Sequence, residues 1–412
     1  MLLPGLYYLK YLLYVQAIHT DAGERVCRLR GLMPVSSDSQ QVSNKTRALH
    51  VERQCANFSK NNLDCLRLIL ASIVVLFHVS ALTNLPAFSL LGKYCSAHFA
   101  VRSFFVISGL LIYRSYTRSS SIASYLEKRA RRIYPAYFTI IVLAAIALCP
   151  LSLCTPAQYF GIGFWKYLGA NLVFLNFLVP SLPGVFTSNS LSAINGALWT
   201  LKIEVVFYLC VPILHYLSGR FGTKRIMGTV FLISCIWKYG FAWLDYIHSS
   251  QSNYSVDNSR SIYAQLSVQL PAQFMYFGAG ILLLLYFDTL RAHFLPISLI
   301  TAVLFFVDHF FTGGVLDVLW VSGLVFVFGF WRYFGSFSKY GDFSYGAYIV
   351  HWPILQTMIA LGLVALNPAI FILIALSLIG LASVLMWHLV ENKFLASSSH
   401  YRQALSKKSA HA

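Results

Sequence analysis

The sequence predicts an all-α polytopic membrane protein of about ten transmembrane helices, and three observations carry that prediction. Hydrophobic residues make up 58% of the 412-residue chain and charged residues only 11%, where soluble domains carry roughly a quarter. Mean hydropathy is +0.65. From Leu66 onward, apolar runs of about 17 to 25 residues follow one another with short breaks, each long enough to cross a hydrocarbon core of about 30 Å as a helix.

Residues 1–60 differ in character and form an N-terminal extension of unassigned fold. The apolar start, Met1 to Ile18, is interrupted by Pro4 and Lys10 and lacks a small-residue cleavage site. A signal peptide is therefore disfavoured, while an interfacial anchor and a start placed too far upstream both stay open. The spans then fall near 66–83, 98–113, 135–154, 199–217, 226–246, 264–288, 293–311, 316–333, 344–364 and 369–389. A segment near 167–186 is broken by Gly169, Asn171, Asn176 and Pro180, and is expected to be re-entrant or interfacial rather than spanning. Residues 61–395 thus read as one transmembrane domain, followed by a basic tail over 396–412.

The formal net charge of +17, from 31 Lys and Arg against 14 Asp and Glu, would suggest nucleic acid in a soluble protein. In a membrane protein the cations belong in cytoplasmic loops facing anionic lipid, and nucleic acid is not expected as a partner. The densest basic break holds Arg114, Arg118, Lys128, Arg129, Arg131 and Arg132, and further cations stand at Arg220, Lys224, Arg225, Arg291, Arg332, Lys339 and Lys393. The breaks near 84–97, 155–198 and 247–263 carry few, so both termini of the ten-span core are expected in the cytoplasm. Eight cysteines lie scattered without metal-ligand spacing, and no metal site is expected. Cys149 and Cys154 could pair if their helix end faces an oxidising compartment.

Chemistry in such a chain has to come from polar groups inside the membrane part. On the first span Arg67 and His78 are eleven residues apart, which returns within about 20° of three full turns and places both on one face about 16 Å apart. A cation at one end and a titratable base deeper in suit an anionic ligand and proton chemistry; a snorkelling arginine and an interfacial histidine are the plainer reading. Ser108 and Gly109 follow Phe104 and Phe105 on the second span, where a small pair admits either a ligand or another helix. Arg129 and Arg132 share a helix face just before Pro135, as phosphate forks or as a topogenic stop signal. Glu204 follows Trp199 and Lys202 near the start of an apolar helix. It could orient a cationic histidine, bind sugar hydroxyls, or pair structurally with Lys202 or another base. Tyr348 and His351 stand one turn apart before Pro353, which should weaken the local hydrogen-bond ladder and free polar groups around His351. Asp308 and His309, adjacent at a helix end, read as a solvated pair.

Taken in order, these motifs resemble the acyltransferase-3 family of bacterial inner-membrane enzymes, the group that includes O-antigen and exopolysaccharide O-acetyltransferases. The likeness lies in Leu63-Asp64 through Arg67 to His78, Phe104 to Gly109, Arg129 to Pro135, Trp199 to Glu204, Ser344-Tyr345 to His351-Trp352-Pro353, and Leu389-Val390-Glu391. It covers about 61–395. The resemblance implies His78 and Arg67 as the essential pair, with acyl-CoA, acetyl-CoA first, as donor substrate and no permanently bound cofactor. Arg129 and Arg132 would help hold the nucleotide end of the donor, with Ser108 and Gly109 beside it. Glu204 joins His78 and Arg67 as a catalytic candidate, and Trp199, Tyr348 and His351 are candidates for a carbohydrate or glycolipid acceptor. This chain departs from the family pattern at Lys202, Cys65 and Leu68, and no hydrolase-like domain follows the last span, as in stand-alone members. The expected reaction is O-acylation of a cell-surface carbohydrate in the inner membrane. Other acyl groups or acceptors (glucan, peptidoglycan, a small molecule) and a secondary transporter or flippase are the rival readings.

Overall fold

The computed structural model of the chain describes residues 60–251, 261–335 and 341–396, together with Phe58. Apart from Phe58 and Lys60, the extension expected over 1–60 lies outside the described residues, as does the tail beyond Ala396. The described residues from Lys60 onward form one compact unit. Every regular element among the described residues is helical. The main helices are α1 (Leu63–Thr83), α2 (Ala97–Thr117), α3 (Ile122–Ala147), α4 (Ile162–Leu172), α5 (Trp199–Phe221) and α6 (Thr223–Gln251). They are followed by α7 (Leu270–Leu285), α8 (Phe294–Val307), α9 (Asp317–Phe330), α10 (Phe343–Ala360) and α11 (Pro368–Met386).

Each of the ten expected spans is a helix, and among the described residues eight helical stretches are long and apolar enough to cross a membrane. The two that fall short do so for different reasons. Helix α9 has only 14 residues. Helix α10 has 18, but it carries Ser344, Tyr345, Tyr348, His351 and Gln356, so polarity rather than length sets it apart. The chain is a multi-pass membrane protein.

The third helix corrects its expected bounds. It starts at Ile122, capped by the Ser121 hydroxyl on the Ser124 amide at 3.1 Å, and runs straight through Pro135. The basic run is therefore helix, not loop, and Glu127 and Arg131 make an exposed pair at 2.7 Å one turn apart. Near 167–186 the chain does not span: α4 ends at Leu172, and the next described helical turn begins at Gly196. Phe174 and Phe186 take left-handed backbone angles (φ 64° and 56°) within this irregular stretch.

Helices α2 and α7 cross where small residues let backbones meet. A Cβ on Gly109 would lie 2.0 Å from the Phe277 carbonyl oxygen, and one on Gly280 would lie 2.0 Å from that of Val106. Around this crossing Phe207 stacks on Phe277 at 4.2 Å and meets Phe105 edge-on at 5.4 Å. At the periphery α8 buries almost none of its side chains, as a lipid-facing helix should.

Helical prolines leave a carbonyl four residues back without its amide donor, and two of these carbonyls have side-chain replacements. For Pro353 the freed carbonyl is Ile349, which accepts from Asn195 Nδ2 at 2.8 Å. For Pro212 it is Tyr208, which accepts from the buried Tyr125 hydroxyl at 3.1 Å. Cys149 and Cys154 are both free thiols, and the Cys154 sulfur packs against Gly184.

Candidate active site

Two polar sites lie at different heights of the bundle, and α1 and α10 contribute to both. At the lower one, Arg67 Nη1 on α1 is 2.6 Å from Asp342 Oδ2. The same carboxylate oxygen pairs with Arg132 of α3, whose other amino group reaches Glu391 Oε2 at 3.1 Å. Both carboxylates are buried, with side chains 2% and 1% exposed. Asp342 also caps α10, its Oδ1 accepting from the Ser344 amide at 3.2 Å and hydroxyl at 2.5 Å. The Arg132 guanidinium stands over the Tyr345 ring. Two arginines and two carboxylates in this geometry balance one another's charge, which is the condition for charge inside a low-dielectric bundle, although Glu391 Oε1 has no hydrogen-bond partner among the described residues.

Arg129 does not join them. Its guanidinium lies 5.9 Å from the centre of the Tyr208 ring, and its Nε is buried with no hydrogen-bond partner among the described residues. The shared face expected for Arg129 and Arg132 is thus split: Arg132 is committed to protein carboxylates, and Arg129 keeps bonding capacity. Glu204 sits near it, accepting from the Tyr208 hydroxyl at 2.7 Å, with the Ser108 hydroxyl 3.5 Å away. Lys202 is not its partner. The Lys202 ammonium rests 4.3 Å over the Phe177 ring, because two steps along a helix turn side chains about 200° apart.

Gly109, placed beside the donor by motif likeness, faces no ligand space. The Phe277 carbonyl occupies the position its side chain would take, so it is a point of helix contact. Asp308 is likewise not a solvated partner of His309. It is 3% exposed and accepts from the Thr312 hydroxyl, the Gly314 and Leu316 amides at 3.1 and 2.8 Å, and Trp320 Nε1 at 2.7 Å.

At the upper site His78 meets His351. Their Nδ1 and Nε2 atoms are 3.0 Å apart and the rings stack at 5.1 Å between centres. The Trp352 ring lies edge-on to His78 at 4.8 Å. Arg67 and His78 make no direct pair; each is bound to a residue of α10 instead. Tyr348, one turn below His351, bonds the Thr200 hydroxyl at 2.7 Å and the Ala197 carbonyl at 3.3 Å, and Phe104 closes on it edge-on at 5.9 Å. Trp199 is half-buried at the first residue of α5.

The irregular stretch after α4 completes this site. Trp352 Nε1 donates to the Ala193 carbonyl at 3.1 Å, and Gln356 Nε2 donates to those of Leu191 and Ala193 at 2.6 and 3.1 Å. Asn189 donates to the Gln356 side chain at 2.9 Å, and Gly196 lies flat under the Trp352 ring. Non-helical backbone inside a bundle needs such donors, and α10 supplies them. Apart from Trp352, these residues escaped the motif reading, as did Asp342 and Glu391 as arginine partners.

A family model described as an acyltransferase domain matches residues 60–388, which include the upper site and all of the lower one except Glu391. The chain belongs to the acyltransferase-3 family. It is an acyltransferase. Among curated proteins it is 27% identical over 350 residues to an O-acetyl transferase of Shigella phage Sf6, covering 82% of this chain and 97% of that one. It is 27% identical over 360 residues to nodulation protein 10 of Rhizobium leguminosarum bv. viciae, covering 81% and 92%. A shorter match, 28% over 193 residues, links 42% of this acyltransferase to 28% of the O-acetyltransferase OatA of Staphylococcus aureus. No solved structure gives a significant match.

Proposed function

We propose that this acyltransferase moves an acyl group, acetyl in the first instance, from acyl-CoA to a hydroxyl of a cell-surface carbohydrate such as O-antigen or exopolysaccharide. It works in a bacterial inner membrane with both ends of its ten-helix core in the cytoplasm, an orientation supported by the cations at Arg114, Arg118, Lys128, Arg131, Arg220, Lys224 and Arg225. The observation that carries the reading is the His78–His351 pair, 3.0 Å apart with His351 wholly buried, in a chain of this family. The names of the phage and staphylococcal relatives, both O-acetyl transferases, support acetyl as the group and oxygen as the acceptor atom.

In this mechanism the donor enters at the Arg67 end. Arg129, with its unpartnered Nε, contacts a donor phosphate, while Arg67 and Arg132 hold the scaffold through Asp342 and Glu391. The thioester reaches up between α1, α2 and α10. His78 takes the proton from the acceptor hydroxyl as its oxygen attacks the thioester carbonyl. The carbon–sulfur bond then breaks, the ester forms, and the leaving thiolate takes the proton from the imidazolium, returning His78 to its starting state. Tyr348 and Trp199 stand on the acceptor side of this arrangement. The test is His78→Ala in membranes supplied with acetyl-labelled acetyl-CoA, with transfer to polysaccharide as the readout. Loss of transfer with normal protein level is expected, and undiminished transfer overturns the proposal.

A further inference from the structure

The nitrogen of His78 that acts as base follows from the hydrogen bonds around His351. The Ala347 carbonyl lies 3.2 Å from His351 Nδ1 and can only accept, so that nitrogen carries a hydrogen. His351 is wholly buried, and no carboxylate among the described residues lies at hydrogen-bond distance from it. An imidazole so placed is uncharged and has one N–H, which leaves its Nε2 with a lone pair. That Nε2 is 3.0 Å from His78 Nδ1, and the contact requires one donor, so His78 Nδ1 carries a hydrogen. By elimination the lone pair of neutral His78 is on Nε2.

We propose that His351 is a positioning residue that locks His78 in the Nδ1–H tautomer, so that His78 Nε2 is the base in acyl transfer. The hydrogen-bond chain from His78 ends on a backbone carbonyl rather than on a carboxylate. His351 therefore orients the ring and selects its tautomer, and it supplies no counter-charge for the imidazolium. Trp352 fixes the ring from its other edge, tied through Nε1 to the Ala193 carbonyl. The task at position 351 is narrow: an acceptor toward His78 and a donor toward Ala347. A glutamine amide offers both, and leucine offers neither at similar bulk.

This inference rests on His78 as the base, and the experiment separates the two. In the full-length protein in membranes, isotope-labelled histidine nitrogens read by solid-state NMR, with His78 assigned by its loss in His78→Gln, report which ring nitrogen is protonated. A bare Nε2 and protonated Nδ1 are expected. A protonated Nε2 overturns the inference whatever the activity of any variant. In acetyl-CoA turnover by the same membranes, His351→Leu is expected to lower kcat about a hundredfold or more, with KM for acetyl-CoA within about threefold. His351→Gln should recover to within about tenfold of the native rate. A leucine variant with native kcat, or a glutamine variant no better than leucine, also overturns it. If His78→Ala retained transfer, the assignment of the base would fall while the measured tautomer stood.

Discussion

Replacing Asp342 by asparagine keeps the volume and the cap of α10 but removes the charge that two arginines share. The Asp342 side chain is 2% exposed, with Arg67 at 18% and Arg132 at 13%, so bulk water cannot take over its role. Removing one partner of a buried ion pair costs about 3–5 kcal/mol, because the charge left behind is desolvated and uncompensated. Glu391 offsets part of this for Arg132, through its 3.1 Å contact. The lower half of the range, about 3 kcal/mol, is therefore expected. The chain holds its own control in Glu127 and Arg131, a 2.7 Å pair with side chains 59% and 50% exposed, where Glu127→Gln should cost about 0.5 kcal/mol or less. Thermal unfolding of both variants in one detergent, followed by retention of the monodisperse species, compares them directly. Equal midpoints would refute the claim that Asp342 is the keystone of a desolvated cluster.

The remaining expectations are read in the same preparations. Arg129→Met should raise KM for acetyl-CoA tenfold or more with kcat little changed, whereas Arg131→Met, at an exposed site, should leave both within about twofold. Gly109→Val should abolish accumulation of folded protein, since even a Cβ there would sit 2.0 Å from a backbone oxygen; a folded and active variant would show that α2 and α7 do not cross as described. Gly196→Ala pushes a methyl to within 2.5 Å of the Trp352 ring and should lower kcat tenfold or more while shifting tryptophan fluorescence, with normal protein level. Asn195→Leu removes the donor to the carbonyl freed by Pro353 and should cost about 1–3 kcal/mol of stability, with partial relief in the double variant carrying Pro353→Ala.

What the sequence discloses and what it hides divide along physical lines. Span positions are legible because a 30 Å apolar core demands long apolar runs, and each expected run is a helix. His78, His351 and Tyr348 stand out because polar groups in such runs are costly and need a reason. Helix periodicity, however, says which residues share a face and not what that face meets. Arg129 and Arg132 share one and part company at its end, and Gly109 reads the same whether a ligand or the Phe277 backbone approaches. The start of α3 is masked by Pro135, whose fixed φ is itself helical, so a breaker in the abstract is tolerated in place. Asp342 and Glu391 could have been found by a charge audit, since buried arginines must meet carboxylates and the membrane part has few. The stretch over 189–196 carries no periodicity at all; its only signal is Asn195, the kind of donor that Pro353 makes necessary.

The spacing of Arg67 and His78 takes on a structural meaning when set beside α10. Both helices run in the same direction at this interface, because Arg67 meets Asp342 and His78 meets His351. The first pair of steps is eleven residues, about 16 Å along α1, and the second is nine, about 13–14 Å along α10. The mismatch of about 3 Å falls on the rung with a long, flexible side chain, the arginine. The histidine rung has no such slack, since two short imidazoles meet at 3.0 Å. The upper contact therefore sets the register, and the lower one clamps it at a distance with a charge that cannot be released into lipid. A slide of one residue along α10 would move His351 by about 1.5 Å and turn it by about 100°, which loses the tautomer lock entirely. Asp342→Asn loosens that clamp three turns from the base. Its effect on kcat, measured well below the unfolding temperature, should accordingly resemble that of His351→Leu in kind and be smaller in size.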